Sequence, residues 1–236
     1  MTRRALAKIV IDAAILTLML CLISYPLIRG LWRHAMMGCA FATCFVIHQA
    51  FNAWWYRSLA TGRWNARRVI LTALDFILIA DVVVLVTSAV LLAGEVFSFA
   101  AFPMTNWARS LHVTATAWAL VLASVHLGFH GEAFWKKFKE TLGVFWPCAM
   151  SCIIGIGAVS FVHTEMIWDL LHEDEMKLLP ETFVEFTAQR LGVVMLFATL
   201  GRCVVELLQL FGRRKRSQRG LRPRAPQTAP SPLEAE

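Results

Sequence analysis

Four of the seven histidines fall in two apolar segments and repeat one spacing. His34 and His48 lie 14 residues apart in one segment, and His112 and His126 lie 14 residues apart in another. In a left-handed helical bundle the repeat is close to 3.5 residues per turn, so this spacing returns a side chain to the same helix face. The members of each pair are then roughly 21 Å apart along the helix. Imidazole is a good ligand for iron, so the pattern predicts two metal-binding levels.

A haem clamped between two helices needs one histidine from each helix at the same depth. The spacing therefore pairs His34 with His112 and His48 with His126, and predicts two bis-histidine haem b groups. The chain has no C-x-x-C-H motif for covalent haem attachment. Zinc is less favoured, because its ligands converge in one shell. For a single histidine, a hydrogen bond in a helix interface is the simpler interpretation, but four matched positions favour ligands.

The segments that carry these histidines are two of six apolar runs. Hydrophobic residues make up 58% of the 236-residue chain and charged residues 17%, which is too apolar for a soluble domain. The runs cover approximately residues 6–27, 34–56, 69–94, 108–131, 142–163 and 185–211, and each could cross roughly 30 Å of hydrocarbon. The first run is too long for a signal peptide and lacks a small-residue cleavage site. The sequence predicts an all-α membrane protein with six transmembrane helices.

Charge predicts the orientation of these helices. Lysine and arginine concentrate in alternate loops, as in proteins that keep basic loops in the cytoplasm, so the net charge of +7 reflects topology and not nucleic-acid binding. Both termini are expected in the cytoplasm, which places His34 and His112 near the outer surface. The acidic residues of the last outer loop are Glu165, Asp169, Glu173, Asp174, Glu175 and Glu181.

Three regions follow from this organisation. Residues 1–135 are expected to form a haem-binding four-helix bundle resembling cytochrome b. Residues 136–211 add two transmembrane helices with the acidic outer loop, in which an interfacial helix is expected around 166–179. Residues 212–236 are basic and then rich in proline and alanine, which predicts a disordered cytoplasmic tail.

Three further cofactor-binding candidates lie close to the predicted ligands. His130 follows His126 by one helical turn, so it could replace His126, bind a haem propionate or a quinone, or serve only in a helix interface. Arg33 and Arg109 adjoin the outer ligands, where guanidinium groups could pair with propionates. Arginines that only set the topology are the alternative.

Three carboxylates, Asp12, Asp75 and Asp81, lie inside apolar runs. In a membrane such groups are costly and indicate a function or a specific partner. They could accept protons at a quinol site. A hydrogen bond across the helix bundle is the simpler alternative for each of them.

Several motifs together resemble the flavinylation-associated cytochrome family over about residues 5–135. They are Arg33-His34, the segment from Phe45 to Trp55, the basic segment from Gly62 to Arg68, the segment Arg109-Ser110-Leu111-His112, and the segment from Val125 to His130. The resemblance implies haem at His34, His48, His112 and His126. It also implies electron transfer between the bacterial inner membrane and an extracytoplasmic flavoprotein.

The leading hypothesis is a transmembrane electron carrier that receives electrons from the quinone pool, because the sequence shows no nucleotide-binding or flavin domain. A ferric or other metal reductase is a close alternative. A small proton-coupled transporter without haem would use the intramembrane aspartates and histidines as a relay. A structural subunit that anchors a soluble partner would not need histidines at matched depths.

Overall fold

The computed structural model describes residues 2–24, 30–94, 96–97, 106–171 and 182–220, with side chains described as far as residue 210. Its longer elements in these ranges are all α-helices. They are α1 (Arg3–Ile23), α2 (Leu31–Phe51), α3 (Trp54–Leu59), α4 (Ala66–Leu92), α5 (Asn106–His130), α6 (Glu132–Leu142), α7 (Trp146–His163), α8 (Met166–Leu170) and α9 (Phe183–Gly220). The all-α prediction is confirmed.

Six helical segments are long and apolar enough to cross a membrane, as the sequence predicts. They comprise α1, α2, α4, α5, the stretch from α6 to α7, and α9 to Leu210. The fifth predicted span, 142–163, differs most, because the observed helical stretch begins at Glu132. The second predicted span, 34–56, is also displaced, because α2 runs from Leu31 to Phe51. The chain turns at Asn52, whose backbone N–H bonds back to the carbonyls of His48 and Gln49, and then enters α3.

Helix α6 is an amphipathic segment that precedes α7 and forms the first part of the fifth span. It carries several charged residues on the exposed side, whereas Trp135 is 2% exposed and contacts Phe138 and Trp146. Gly143 then adopts a positive φ of 53°, a conformation that favours glycine, and a short 3₁₀ turn leads into α7. Pro147 lies in the first turn of α7, where its missing N–H costs nothing. The stretch from α6 to α7 is therefore interrupted at Gly143.

Helices α5 and α9 form the centre of the bundle. Helix α5 packs along both α4 and α9, α9 also packs along α7, and α1 packs along α2. The most buried apolar side chains include Leu120 of α5 and Val193 of α9, both 0% exposed. A Cβ atom at Gly128 would collide with the backbone of Ala198, so this glycine permits the close crossing of α5 and α9.

The described packing thus joins the sixth span directly to the histidine-bearing helix α5. Helices α2 and α5, in contrast, do not pack along each other, and each is held by other partners. The boundary between regions at residue 135, the cytoplasmic position of the termini and the disordered tail stay predictions. Of the expected interfacial helix, only Met166–Leu170 lies in the described residues.

Candidate cofactor site between helices α2 and α5

The four predicted ligands lie near opposite ends of two helices. His34 is in the first turn of α2 and His48 is in its last turn, while His112 and His126 occupy the corresponding parts of α5. The end with His34 and His112 is called the His34 end below, and the opposite end is called the His48 end. Because the spacing is the same in both helices, the histidines can form two pairs, and the direction of the helices decides which residues pair. Parallel helices pair His34 with His112 and His48 with His126.

At the His34 end the two imidazoles face each other across the helices. The ring centroids of His34 and His112 are 6.2 Å apart, and the ring planes are inclined by 75°. Two imidazoles that bind one metal from opposite sides, with each nitrogen about 2 Å from the metal, have centroids roughly 6 Å apart. The observed separation therefore suits a pair of axial ligands.

At the His48 end, His48 lies within electrostatic range of His126. The two histidines belong to helices that do not pack along each other. Closely packed helices would leave no room for a flat macrocycle between them, so the lack of close packing between α2 and α5 is compatible with one. The structure thus brings the rings of His34 and His112 into contact, whereas His48 and His126 lie at the same end of the bundle and interact only at longer range.

Three of the four imidazoles are oriented through Nδ1 by a neighbouring helix. The Nδ1–H of His126 donates to Asp75 Oδ1 of α4 at 2.9 Å, and that of His48 donates to Asp12 Oδ1 of α1 at 2.7 Å. Ser88 Oγ of α4 lies 3.1 Å from Nδ1 of His112.

Ser88 Oγ also lies 2.9 Å from the Leu85 carbonyl, and donation of its hydrogen there would leave its oxygen to accept from Nδ1–H of His112. The carboxylates fix Nδ1–H as the donor in His48 and His126, so the lone pair of each lies on Nε2. With that Ser88 donation, the same holds for His112. Metal-binding histidines commonly donate their other N–H to a carboxylate or another acceptor, which fixes the ring and raises its basicity. The arrangement is that of preorganised ligands.

One contact opposes ligation at the His48 end. Asn52 Nδ2 lies 3.4 Å from Nε2 of His48, while the same amide donates to the His48 carbonyl at 2.9 Å. The longer contact is weak by its distance. A metal at Nε2 of His48 would replace it at little cost, because the amide keeps its backbone acceptor.

His130 joins the same network through Asp75. Its Nε2 lies 3.4 Å from Asp75 Oδ1, and its ring centroid lies 4.4 Å from that of His126. The possible ligand atoms of Asp75, His126 and His130 all lie within 4.8 Å of one another, so they could also hold a single divalent ion. Which of the two histidines binds iron stays a prediction in favour of His126, whose Nδ1 contact with Asp75 is the shorter.

The intramembrane aspartates differ in their surroundings. Asp12 and Asp75 make the hydrogen bonds across the bundle that were the simpler interpretation of each. Asp81 Oδ2 is buried and has no hydrogen-bond partner among the described residues. Sequence reasoning did not connect Asp12 with His48 or Asp75 with His126, and it missed Ser88. The signal that could have found the two aspartates was their unusual position within apolar runs.

The remaining candidates lie at or beyond the edge of this site. Arg33 and Arg109 are exposed beside His34 and His112, and their pairing with propionates stays a prediction. Most of the predicted acidic loop, including Glu173, Asp174 and Glu175, lies outside the described residues.

A cavity of about 280 Å³ lies next to the His48 end and was not anticipated from the sequence. It is bounded by α3, the first turns of α4 and the end of α5. Asp75 and His130 both line it.

Six membrane-length apolar helices and these buried polar contacts define the class of the chain as a multi-pass membrane protein. Comparison with known proteins does not narrow this class, since no family model, no curated protein and no solved structure matches the chain. The resemblance to flavinylation-associated cytochromes accordingly stays a prediction.

Proposed function

We propose that the chain is a transmembrane b-type cytochrome that binds two haems between α2 and α5. The observation that carries the proposal is the orientation of His48, His112 and His126 through Nδ1, which leaves Nε2 as the metal-binding nitrogen in each. A histidine that only forms a hydrogen bond in a helix interface can use either ring nitrogen. Nothing in that role requires His48, His112 and His126 all to use Nδ1. The 6.2 Å centroid separation of His34 and His112 supports the same proposal independently.

The protein's contribution is to hold and orient the ligands. Haem, when bound, supplies one-electron transfer at iron with both axial positions filled. Helix α4 supports both ligands of α5 through Ser88 and Asp75, while α1 supports His48 through Asp12. The two levels are about 21 Å apart along each helix, so one lies in each half of the bilayer. This division suits electron transfer across a membrane.

The proposed donor is the membrane quinol pool and the proposed acceptor is an extracytoplasmic flavoprotein. The donor is inferred from the lack of a recognisable nucleotide-binding segment, and the acceptor follows from the family resemblance. The same resemblance puts the protein in a bacterial inner membrane. With both termini in the cytoplasm, the His48 end would face the cytoplasm and the His34 end the outer surface.

Haem content tests the proposal directly. We expect the purified protein to show a reduced-minus-oxidised spectrum of low-spin b-type haem, with two haems per chain in a pyridine haemochrome assay. His112→Ala should remove one haem, whereas His163→Ala, a control at the exposed end of α7, should remove none. A wild-type protein that stays colourless when haem is supplied in excess would refute the proposal.

A proton-coupled transporter is the second candidate, and the cluster of Asp75, His126 and His130 favours it. These ionisable groups touch one another within a membrane span, as in proton relays. This alternative predicts a haem-free protein in which Asp75→Asn stops proton-linked uptake. The same haem assay therefore decides between the two candidates.

A further inference from the structure

The cavity at the His48 end combines apolar and polar walls in a way that suits an aromatic diol. Trp55 and Leu59 of α3 and Leu71 of α4 provide apolar surface, and Asp75 and His130 provide polar groups. Its volume of about 280 Å³ is near the lower limit of the roughly 300–1,000 Å³ typical of small-molecule sites. One ring fits this volume, but a ring with a long isoprenoid tail does not, so any tail would extend outside it.

The charged residues of the cavity are engaged with the protein itself. The Arg68 guanidinium donates to the Thr61 carbonyl at 2.7 Å and to the Ser58 carbonyl. Arg67 lies 3.6 Å from the Glu132 carboxylate, and its buried Nε has no hydrogen-bond partner among the described residues. The two arginines are balanced by the carboxylates of Glu132 and Asp75, so the cavity favours a neutral ligand over a phosphate or a haem propionate.

We propose that this cavity binds the headgroup of a membrane quinol, with Asp75 and His130 hydrogen-bonded to its hydroxyl groups. The proposal rests on the proposed function, which supplies the electron acceptors. Asp75 Oδ1 contacts both His130, at 3.4 Å, and the ligand candidate His126, at 2.9 Å. A headgroup that is hydrogen-bonded to the Asp75 carboxylate is thus separated from His126 by the Asp75 side chain alone.

The reaction balances with the two haems as oxidants. One quinol loses its two O–H bonds and becomes one quinone, releasing two electrons and two protons. The two haems of the proposed function would each accept one electron, and Asp75 connects the cavity to His126 at the His48 end. The protons go to water at the same end of the bundle, where the His130 side chain is 45% exposed.

Two variants and one matched control test the site. Leu71→Trp fills the cavity, whereas Ile70→Trp adds the same indole at the neighbouring exposed position, which does not line the cavity. His130→Phe keeps a ring but removes its hydrogen bonding. Each variant is purified with its haems, mixed with a short-chain ubiquinol or menaquinol analogue, and followed by stopped-flow absorbance. Reduction by dithionite reports the haem content of the same samples.

We expect Leu71→Trp to slow haem reduction by quinol about tenfold or more, with Ile70→Trp close to wild type. Loss of one hydrogen bond in His130→Phe should slow it roughly two- to tenfold. Short-chain quinone retained by the protein at equilibrium, extracted and measured by chromatography, should fall in Leu71→Trp and not in Ile70→Trp. Dithionite should reduce the same amount of haem in all four proteins.

Other outcomes would overturn the inference. If Leu71→Trp and His130→Phe were reduced by quinol as fast as wild type, the cavity would not be the quinol site, although the di-haem proposal would stand. Loss of one haem in Leu71→Trp, with Ile70→Trp intact, would assign the cavity to the macrocycle. If Leu71→Trp does not fold, unchanged kinetics of His130→Phe would still refute the proposal. A wild type without haem bands after dithionite would instead refute the proposed function.

Discussion

The Asp75–His126 hydrogen bond offers a quantitative test of the proposed ligands. Asp75→Asn keeps the shape of the side chain and an oxygen acceptor, but it removes the negative charge. The Asp75 side chain is only 10% exposed and lies 2.9 Å from Nδ1 of His126, so solvent screens this charge weakly. A carboxylate raises the basicity of the imidazole and thereby favours the oxidised metal. The variant should therefore raise the reduction potential of one haem.

The size of the shift follows from the hydrogen bond. A bond to a charged group contributes about 1.5–3 kcal/mol and a neutral one about 0.5–1.5 kcal/mol, so the charge accounts for about 1 kcal/mol. If all of this acts on the oxidised state, the equilibrium changes by roughly fivefold to tenfold. For a one-electron couple a tenfold change corresponds to about 59 mV, which sets the expected upper limit.

Redox titration followed by absorbance measures this shift, and histidine variants assign it. In a His34→Ala background only the haem at the His48 end should remain, and Asp75→Asn should raise its potential. In a His48→Ala background the remaining haem should not respond. Asp12→Asn should act on the same haem as Asp75→Asn but more weakly, because the Asp12 side chain is 55% exposed. An unchanged potential, or a shift only at the His34 end, would refute the assignment of Asp75 as a positioning residue for His126.

Three further predictions concern the ligands and the packing that holds them. His48→Ala and His126→Ala should each remove the haem at the His48 end, whereas His130→Ala should keep both haems. Haem content and the absorbance spectrum measure this. Loss of haem only in His130→Ala would make His130 the ligand. Ser88→Ala should retain both haems and shift the reduction potential of the haem at the His34 end. This shift should be smaller than the one that Asp75→Asn causes at the His48 end, because Ser88 is neutral. An equal or larger shift would contradict this prediction. Gly128→Val should destabilise the protein by about 1–3 kcal/mol or more through overpacking against Ala198, which lowers the Tm. Gly38→Ala is the control and should not lower the Tm, because a Cβ atom there has nothing within 4 Å. Equal Tm values for the two variants would contradict the close crossing of α5 and α9.

The helices were largely predictable because their signals are local. Six apolar runs gave six membrane-length helices, since length and hydropathy alone decide whether a segment can cross a bilayer. The ends were less predictable where tertiary contacts or turns intervene. Helix α2 ends at Phe51, ahead of the turn at Asn52, and α6 forms a separate amphipathic segment ahead of α7.

The ligand pairs were also predictable in part. A 14-residue spacing fixes the relative depth and face of two side chains on one helix, whatever surrounds it. This regularity predicts that His34 and His112 share a level, and the structure places their rings 6.2 Å apart. The occupation of these levels by haem stays a prediction, because spacing identifies suitable ligands but not the group they bind.

The sequence by itself determined the membrane class, the six spans and the matched depths of the histidines, because hydropathy and helical periodicity act within single segments. Only the tertiary structure decided that Asp12 supports His48 and that Asp75 supports His126. These contacts depend on the rotation of each helix about its own axis, which is set by side-chain packing between segments far apart in the chain. The cavity depends on the same packing, because α3, α4 and α5 each contribute one wall.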